Sequence, residues 1–305
     1  MRRPTNWRGY AFIAPATMYL AVFSLLPIVL AGYMSLHRWH LLKPDKPFIG
    51  LGNYRAMFAD PFFRNAIGNS FTYALACVPL GVITSLAVAM LVSRPLRGVG
   101  IFRTLFYIPG VCSQVALSMV LIWILMPEQG LINYLVGQLN GLIHAFGVQA
   151  SIPTSTDFLH EPVWAMAALV AMSLWVGLGP RMIIFVAGLH SIPEETYEAA
   201  ALDGCTGGRR FWYITLPLLA PTTLFVTVTT IIGAFQLFTP VYVITKGGPQ
   251  RTTDVVLYHV FKEAWQNFEL GMASAQSYVL FAMIVVIAAV QLWIMRRGLI
   301  TEEAK

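Results

Sequence analysis

Glu198-Ala199-Ala200-Ala201-Leu202-Asp203-Gly204, followed by Ile214-Thr215-Leu216-Pro217, is a compact polar stretch set among long hydrophobic segments. Its local pattern is a helix, a tight turn and a second helix. Ser191 and Glu194 have capping-box spacing ahead of Glu195–Leu202, which predicts a short helix there. Gly204 tolerates a positive φ and ends that helix tightly. A second short helix is expected through Arg209–Thr215, stopping near Pro217. Ala199 and Ala200 have almost no side chain, so a foreign backbone can approach closely, and Glu198 offers a carboxylate to a cationic partner. The pieces form an elbow suited to a cleft in a second subunit. The plainer alternative is an ordinary capped connection between two helices.

The surroundings of the elbow set its context. Of 305 residues, 57% are hydrophobic and 11% are charged. Soluble domains carry about 25% charged residues, so lipid is the main solvent for this chain. Six apolar units emerge, at Tyr10–Leu36, Asn69–Ser93, Thr104–Met126, Val163–Leu189, Leu216–Thr245 and Gly271–Met295. Each exceeds the roughly 20 residues that cross a ~30 Å hydrocarbon core. Pro27, Pro79, Pro217, Pro221 and Pro240 are expected to kink or break these helices. The first unit is too long for a signal-peptide core and has no A-x-A site, so it reads as a retained span. Leu131–Phe146 has the pattern of a short interfacial helix.

Basic residues orient the spans. Arg2, Arg3, Arg8, Arg94, Arg97, Arg103, Arg209, Arg210, Arg296, Arg297 and Lys305 fall on one side, eleven against eight on the other. The long loop from Pro127 to Glu161 holds Glu128, Asp157 and Glu161 but no Lys or Arg. The positive-inside rule then puts both termini and the Glu198 elbow in the cytoplasm. The net charge of +6 suits anchoring beside anionic headgroups, and no basic run argues for nucleic acid. Cys77, Cys112 and Cys205 are widely spaced and read as small core residues. The scattered His residues, including the close pair His37 and His40, have no nearby Cys or acid to complete a metal site. Walker A, GxGxxG, HExxH and GxSxG patterns are absent, so the chain has neither a catalytic constellation nor a phosphate-binding loop.

In every anchor position, Glu198, Ala199, Ala200, Gly204, Ile214, Leu216 and Pro217, the elbow resembles the EAA loop of ABC importer permeases. Asp203 before Gly204 is similar to the sugar-transporter version. Phe48-Ile49-Gly50-Leu51-Gly52-Asn53-Tyr54, Phe102-Arg103 with Pro109, Thr245-Lys246-Gly247-Gly248-Pro249 and Gly271-Met272-Ala273-Ser274-Ala275 extend the likeness along nearly the whole chain. Together they resemble the first permease subunit of binding-protein-dependent carbohydrate importers of the maltose or glycerol-3-phosphate type. Gly207-Gly208 departs from the pattern and loosens the start of the second elbow helix.

The resemblance implies an all-α polytopic fold, the type I ABC importer permease with six transmembrane helices, as one domain over residues 1–305 with the elbow at 191–217. It implies location in the inner membrane and assembly with a second homologous permease, a dimer of ATP-binding-cassette ATPases and an extracytoplasmic solute-binding protein. No cofactor is expected on this chain; ATP and Mg belong to the ATPase. The elbow would pass ATPase closure to the helices, and cargo would cross by alternating access. A sugar or sugar derivative is the expected cargo, with glycerol-3-phosphate, a polyamine or an amino acid as the alternative. An integral-membrane enzyme or passive channel would need a polar catalytic cluster or a self-sufficient pore.

Transporters bind cargo near the bilayer midplane on interrupted, polar-lined helices. Ser173, Gly177 and Arg181 share one face of the fourth span. A charge at that depth costs roughly 2.5–3.5 kcal/mol, so Arg181 faces a wet cavity, snorkels to the headgroups or pairs with a carbonyl. In the resembled subunits this face contributes to the sugar pocket. A hydroxyl-rich or anionic sugar would suit its planar fork of donors. Thr230, Gly233 and Leu237, with Gln236, form a second candidate stripe in the Thr-rich fifth span, where most hydroxyls serve their own helix. Gln114, Gln276, Trp123, Trp175 and Tyr242 are further candidates.

Overall fold

The computed structural model describes residues 7–93, 98–127, 129–145 and 157–303. Arg2, Arg3, Arg94, Arg97, Glu128, Phe146 and Lys305, used above, lie outside the described residues. In chain order the elements are Trp7–Leu20 (α1), a π-helical turn at Ala21–Leu25, Leu26–Ser35 (α2), Gly52–Ala59 (α3), Pro61–Val92 (α4), Val99–Val111 (α5), Gln114–Leu125 (α6) and Leu131–Ala145 (α7). They continue with Pro162–His190 (α8), Glu194–Leu202 (α9), Gly207–Arg210 (α10), a π turn at Phe211–Thr215, Leu216–Leu218 (α11), Ala220–Phe235 (α12), a π turn at Val241–Thr245, Val256–Trp265 (α13) and Leu270–Glu303 (α14). Among the described residues the only β-pairing is a pair of isolated bridges.

Four helices are long and apolar enough to cross a membrane: Phe12–Ser35, Pro61–Val92, Pro162–His190 and Leu270–Ile294. Two further units are bent pairs. α5 and α6 meet at 101°, and Gly207–Leu218 meets Ala220–Phe235 at 69°. Counting each pair as one span gives the expected six, with the third and fifth broken rather than continuous. The proline rule gives only part of this. α4 runs unbroken through Pro79, and the third-span break at Cys112–Ser113 contains no proline. At Pro27 and Pro217 the missing N–H is absorbed by the preceding π turn, whose closing bonds run from Leu26 N to the Ala21 carbonyl and from Leu216 N to the Phe211 carbonyl.

The described residues divide into two compact units, 7–64 with 259–282 and 65–258 with 283–303. In the first, the motif around Asn53 fastens the end of the first span. The buried Asn53 Nδ2 donates to the carbonyls of Ser35 (2.7 Å) and His37 (2.9 Å), and Tyr54 OH donates to Ser35 Oγ at 3.0 Å. Gly271 N donates to the Trp39 carbonyl at 2.9 Å, and a Cβ there would collide with the His37 carbonyl, so the approach requires glycine.

In the second unit, Leu86, Ala89 and Val92 of α4, Met182, Phe185 and Val186 of α8, Ile192, Leu219 and Val226 form one buried cluster. Lipid tails are as apolar as these side chains, so close packing rather than water exclusion holds the helices together. α5 lies against α8 closely enough that a Cβ on Gly179 would strike the Phe106 carbonyl, and one on Gly110 would meet Pro180. The Thr245–Pro249 turn is pinned by Thr253, whose hydroxyl bonds Thr245 Oγ1 at 2.7 Å and the Gly248 carbonyl at 2.5 Å. Asn69 Nδ2 of α4 donates to the carbonyls of Arg251 (2.7 Å) and Asp254 (3.0 Å).

Asn53→Ala removes two buried hydrogen bonds and strands their acceptors, which costs about 1–3 kcal/mol. A lower unfolding midpoint in detergent is expected; a melting curve identical to the parent's would contradict the fastening role.

Candidate functional site

Helix α12 ends at Phe235, and Gln236–Phe238 leave the helical path before helix resumes at Thr239. Beside this interruption lies a cavity of about 510 Å³. α8 contributes Ser173, Gly177 and Arg181, α12 contributes Thr230 and Gly233, and the interruption contributes Gln236 and Leu237. All seven residues singled out from sequence therefore border one cavity. Gln114, the first residue of α6 after the third-span break, also lines it, so that break and the interruption after α12 face the same space. Trp123, Trp175 and Tyr242 are exposed and are not among its lining residues. Gln276 is buried in the other unit.

The wall formed by α4 was not read from the sequence. Tyr73, Cys77, Gly81 and Ser85 recur every four residues and so share one face of α4. That face meets the Ser173–Gly177–Arg181 face of α8. Tyr73 OH hydrogen-bonds Ser173 Oγ, and Arg181 Nε donates to Ser85 Oγ at 3.1 Å. Arg181 Nη2 reaches the carbonyls of Ser173 and Leu174, both at 3.4 Å. The side chain thus points back toward the start of α8, away from the elbow, and the headgroup-snorkelling reading is replaced by cavity lining plus carbonyl pairing. The four-residue recurrence of small and polar residues in α4 was the available signal. The Thr hydroxyls of α12 behave as expected: Thr230 Oγ1 donates to the Val226 carbonyl at 2.6 Å and Thr229 Oγ1 to that of Phe225 at 2.9 Å.

The elbow follows α8 directly. Its first arm, α9, starts at Glu194 behind Pro193, and no side chain caps it. Ser191 donates instead to the Gly188 carbonyl at 2.7 Å, closing α8, so the capping-box reading is corrected. Gly204 takes φ +73°, with Cys205 N donating to the Ala200 carbonyl (2.8 Å) and Gly204 N to that of Ala201 (3.1 Å). This is the Schellman pattern, and it satisfies carbonyls that the helix end would otherwise leave open. The second arm begins at Gly207 and runs through Pro217 to Leu218, earlier and later than expected, with the Phe211–Thr215 π turn absorbing Pro217.

Exposure separates the elbow residues. Glu198, Ala199, Asp203 and Gly204 are exposed, whereas Ala200 is 6% exposed and packs inside the chain. Only Ala199 of that pair therefore presents a small side chain to the outside. Ile214, Leu216 and Pro217 are half-buried. Leu202, Trp212 and Tyr213 form further exposed apolar surface. Tyr197, overlooked in the sequence, joins the arms: the Arg210 guanidinium lies 5.3 Å from its ring centroid, and Thr215 Oγ1 donates to its hydroxyl at 3.4 Å. Tyr197, Phe211 and Leu216 pack against the buried cluster of α4, α8 and Val226. Of the three cysteines, Cys77 is buried and borders the cavity, Cys205 is half-buried, and Cys112 is exposed at the third-span break rather than in a core. Among the described residues no group of three His, Cys, Asp or Glu side chains is placed to hold a metal ion.

Residues 57–297 match the family model for the binding-protein-dependent transport system inner membrane component. The chain belongs to that family and is a multi-pass permease subunit of ABC transport systems, not itself an enzyme. It is 33% identical over 291 residues to the probable ABC transporter permease protein YesP of Bacillus subtilis, covering 94% of this chain and 90% of that protein. It is 31% identical to the sn-glycerol-3-phosphate transport system permease protein UgpA of Agrobacterium fabrum, covering 94% of each. It is 32% identical to the lactose transport system permease protein LacF of Rhizobium radiobacter, covering 97% of this chain and 96% of that one. A chain in the crystal structure of a bacterial alginate ABC transporter with an alginate pentasaccharide-bound periplasmic protein matches with a TM-score of 0.79 at 20% identity, covering 96% and 95%. That likeness establishes the type I permease fold.

Tyr197→Ala frees the two arms of the elbow from each other at a cost of roughly 1–2 kcal/mol, so local opening rises about 5–30-fold. Tryptic cleavage at Arg209 and Arg210 in the purified protein should accelerate accordingly, while Tyr197→Phe keeps the ring and stays near the parent rate. Equal cleavage of all three would remove Tyr197 from this role.

Proposed function

We propose that this chain is the membrane-spanning subunit of an ATP-driven importer that moves a sugar or sugar derivative by alternating access. The observation that carries the reading is the continuity of α8. One uninterrupted helix bears the cavity face Ser173–Arg181 and ends at His190, where the elbow begins. The path from Arg181 to His190 is about 13 Å of helix, so displacement of the elbow is delivered to the cavity without an intervening joint. The carbohydrate names of the lactose and alginate relatives support the cargo class.

In this reading the termini and the elbow face the cytoplasm. Glu198, Ala199, Asp203, Gly204 and the exposed Leu202, Trp212 and Tyr213 meet one protomer of an ATPase dimer. Ala200, Ile214, Leu216 and Pro217 hold the elbow's shape from inside. A second, homologous permease completes the pathway, and an extracytoplasmic binding protein delivers cargo. ATP and Mg are used on the ATPase alone. Ser173, Gly177, Arg181, Thr230, Gly233, Gln236 and Leu237 contact cargo in transit. A second reading, a glycerol phosphate ester as cargo, is favoured by the relative named for sn-glycerol-3-phosphate transport.

The test is ATP-dependent uptake of labelled saccharides by liposomes holding the complete complex with its binding protein. Glu198→Lys reverses charge on the exposed docking face. It should leave this subunit in the membrane while ATPase recruitment and uptake fall at least tenfold. Full recruitment and uptake by the variant would reject the coupling role, and uptake without ATP would reject the importer.

A further inference from the structure

Among the described residues that line the cavity, Arg181 alone carries a full charge at neutral pH. No Asp or Glu occurs anywhere in α4, α5, α6, α8 or α12, nor in the segment from Gln236 to Thr245. Intramembrane charges ordinarily pair with an opposite charge or mark a cargo path. Arg181 makes no ion pair among the described residues. Among the described residues its hydrogen-bond partners are one serine hydroxyl and two carbonyls at long range, all neutral, and Nη1 donates no hydrogen bond.

The guanidinium has a built seat. A Cβ on Gly81 would come within 3.1 Å of Cζ, and one on Gly177 would collide with Nη1. Glycine on two facing helices leaves room for the planar head, and Ser85 fixes its orientation through Nε. The seat therefore holds an oriented fork with a free donor, directed away from the elbow and bordering the cavity. Such a fork matches the two oxygens of a carboxylate or phosphate far better than a lone hydroxyl.

Resting on the proposed importer function, we infer that the cargo is anionic: a saccharide or polyol bearing a carboxylate or phosphate ester, selected within the permease itself by Arg181. The charged group seats on Nη1 and Nη2. Gln114, at the third-span break, and Gln236, in the interruption after α12, meet the neutral hydroxyls.

Uptake is measured in liposomes holding the complete transporter and its own binding protein, with ATP inside. The cargo pairs differ only in charge: an oligouronide against its methyl ester, and glycerol phosphate against glycerol. The binding protein is the same for every variant, so a change in the charged-to-neutral uptake ratio reports on the permease. The parent is expected to prefer the charged member of one pair, and which pair distinguishes carboxylate from phosphate. Arg181→Gln should lower that ratio at least tenfold, and Arg181→Lys should restore part of it. Gly177→Ala displaces the guanidinium without removing it and should also lower the ratio, which provides the comparison if Arg181→Gln fails to reach the membrane. A parent that takes up neutral saccharides, with a ratio unchanged by these variants, overturns the inference and leaves the sugar importer standing. A parent that takes up neither member of either pair, nor any neutral saccharide, overturns both.

Discussion

Hydrocarbon offers a peptide group no hydrogen-bonding partner, so irregular backbone at membrane depth survives only where protein or a wet cavity covers it. Among the described residues, Cys112–Ser113 in the third span and Gln236–Phe238 after α12 are two such places. Gln114, just after the first, and Gln236, within the second, border the same cavity. The breaks and the cavity are thus one feature: the cavity makes the breaks tolerable, and the breaks bring polar groups to its wall.

The rest of the second unit is arranged around that feature. α4 and α8 close one side through a register of four-residue steps, in which small residues admit the arginine head and hydroxyls orient it. Near the elbow end of the same two helices the contact turns apolar, and Leu86, Ala89 and Val92 of α4 and Met182, Phe185 and Val186 of α8 pack with Leu219 into a buried cluster. The elbow is seated on that cluster through Tyr197, Phe211 and Leu216, so it is part of the bundle's packing rather than a loose connection.

Much of this was legible in the sequence wherever a rigid helix converts spacing into direction. Ser173, Gly177 and Arg181 share a face because 3.6 residues make a turn, and Gly204 takes its positive φ because little else can. The reading failed where local rules compete with tertiary contacts. Ser191 spends its hydroxyl on the Gly188 carbonyl rather than on the next helix. Pro79 passes through a helix that its neighbours support, while the real third-span break contains no proline. Ala200 looks as available as Ala199 in a string of letters, but it packs against its own chain. Tyr197 had no motif to mark it, since its role depends on Arg210 and Thr215 across a turn.

The tight crossing of Gly179 over the Phe106–Tyr107 backbone has a mechanical consequence. It divides α8 unequally, with about 9 Å of rise to Ser173 on one side and about 16 Å to His190 on the other. Were the rod to rock on that fulcrum, the long arm would travel nearly twice as far as the short one and in the opposite sense. A coarse stroke at the base would then arrive at the pocket wall as a smaller movement of reversed direction.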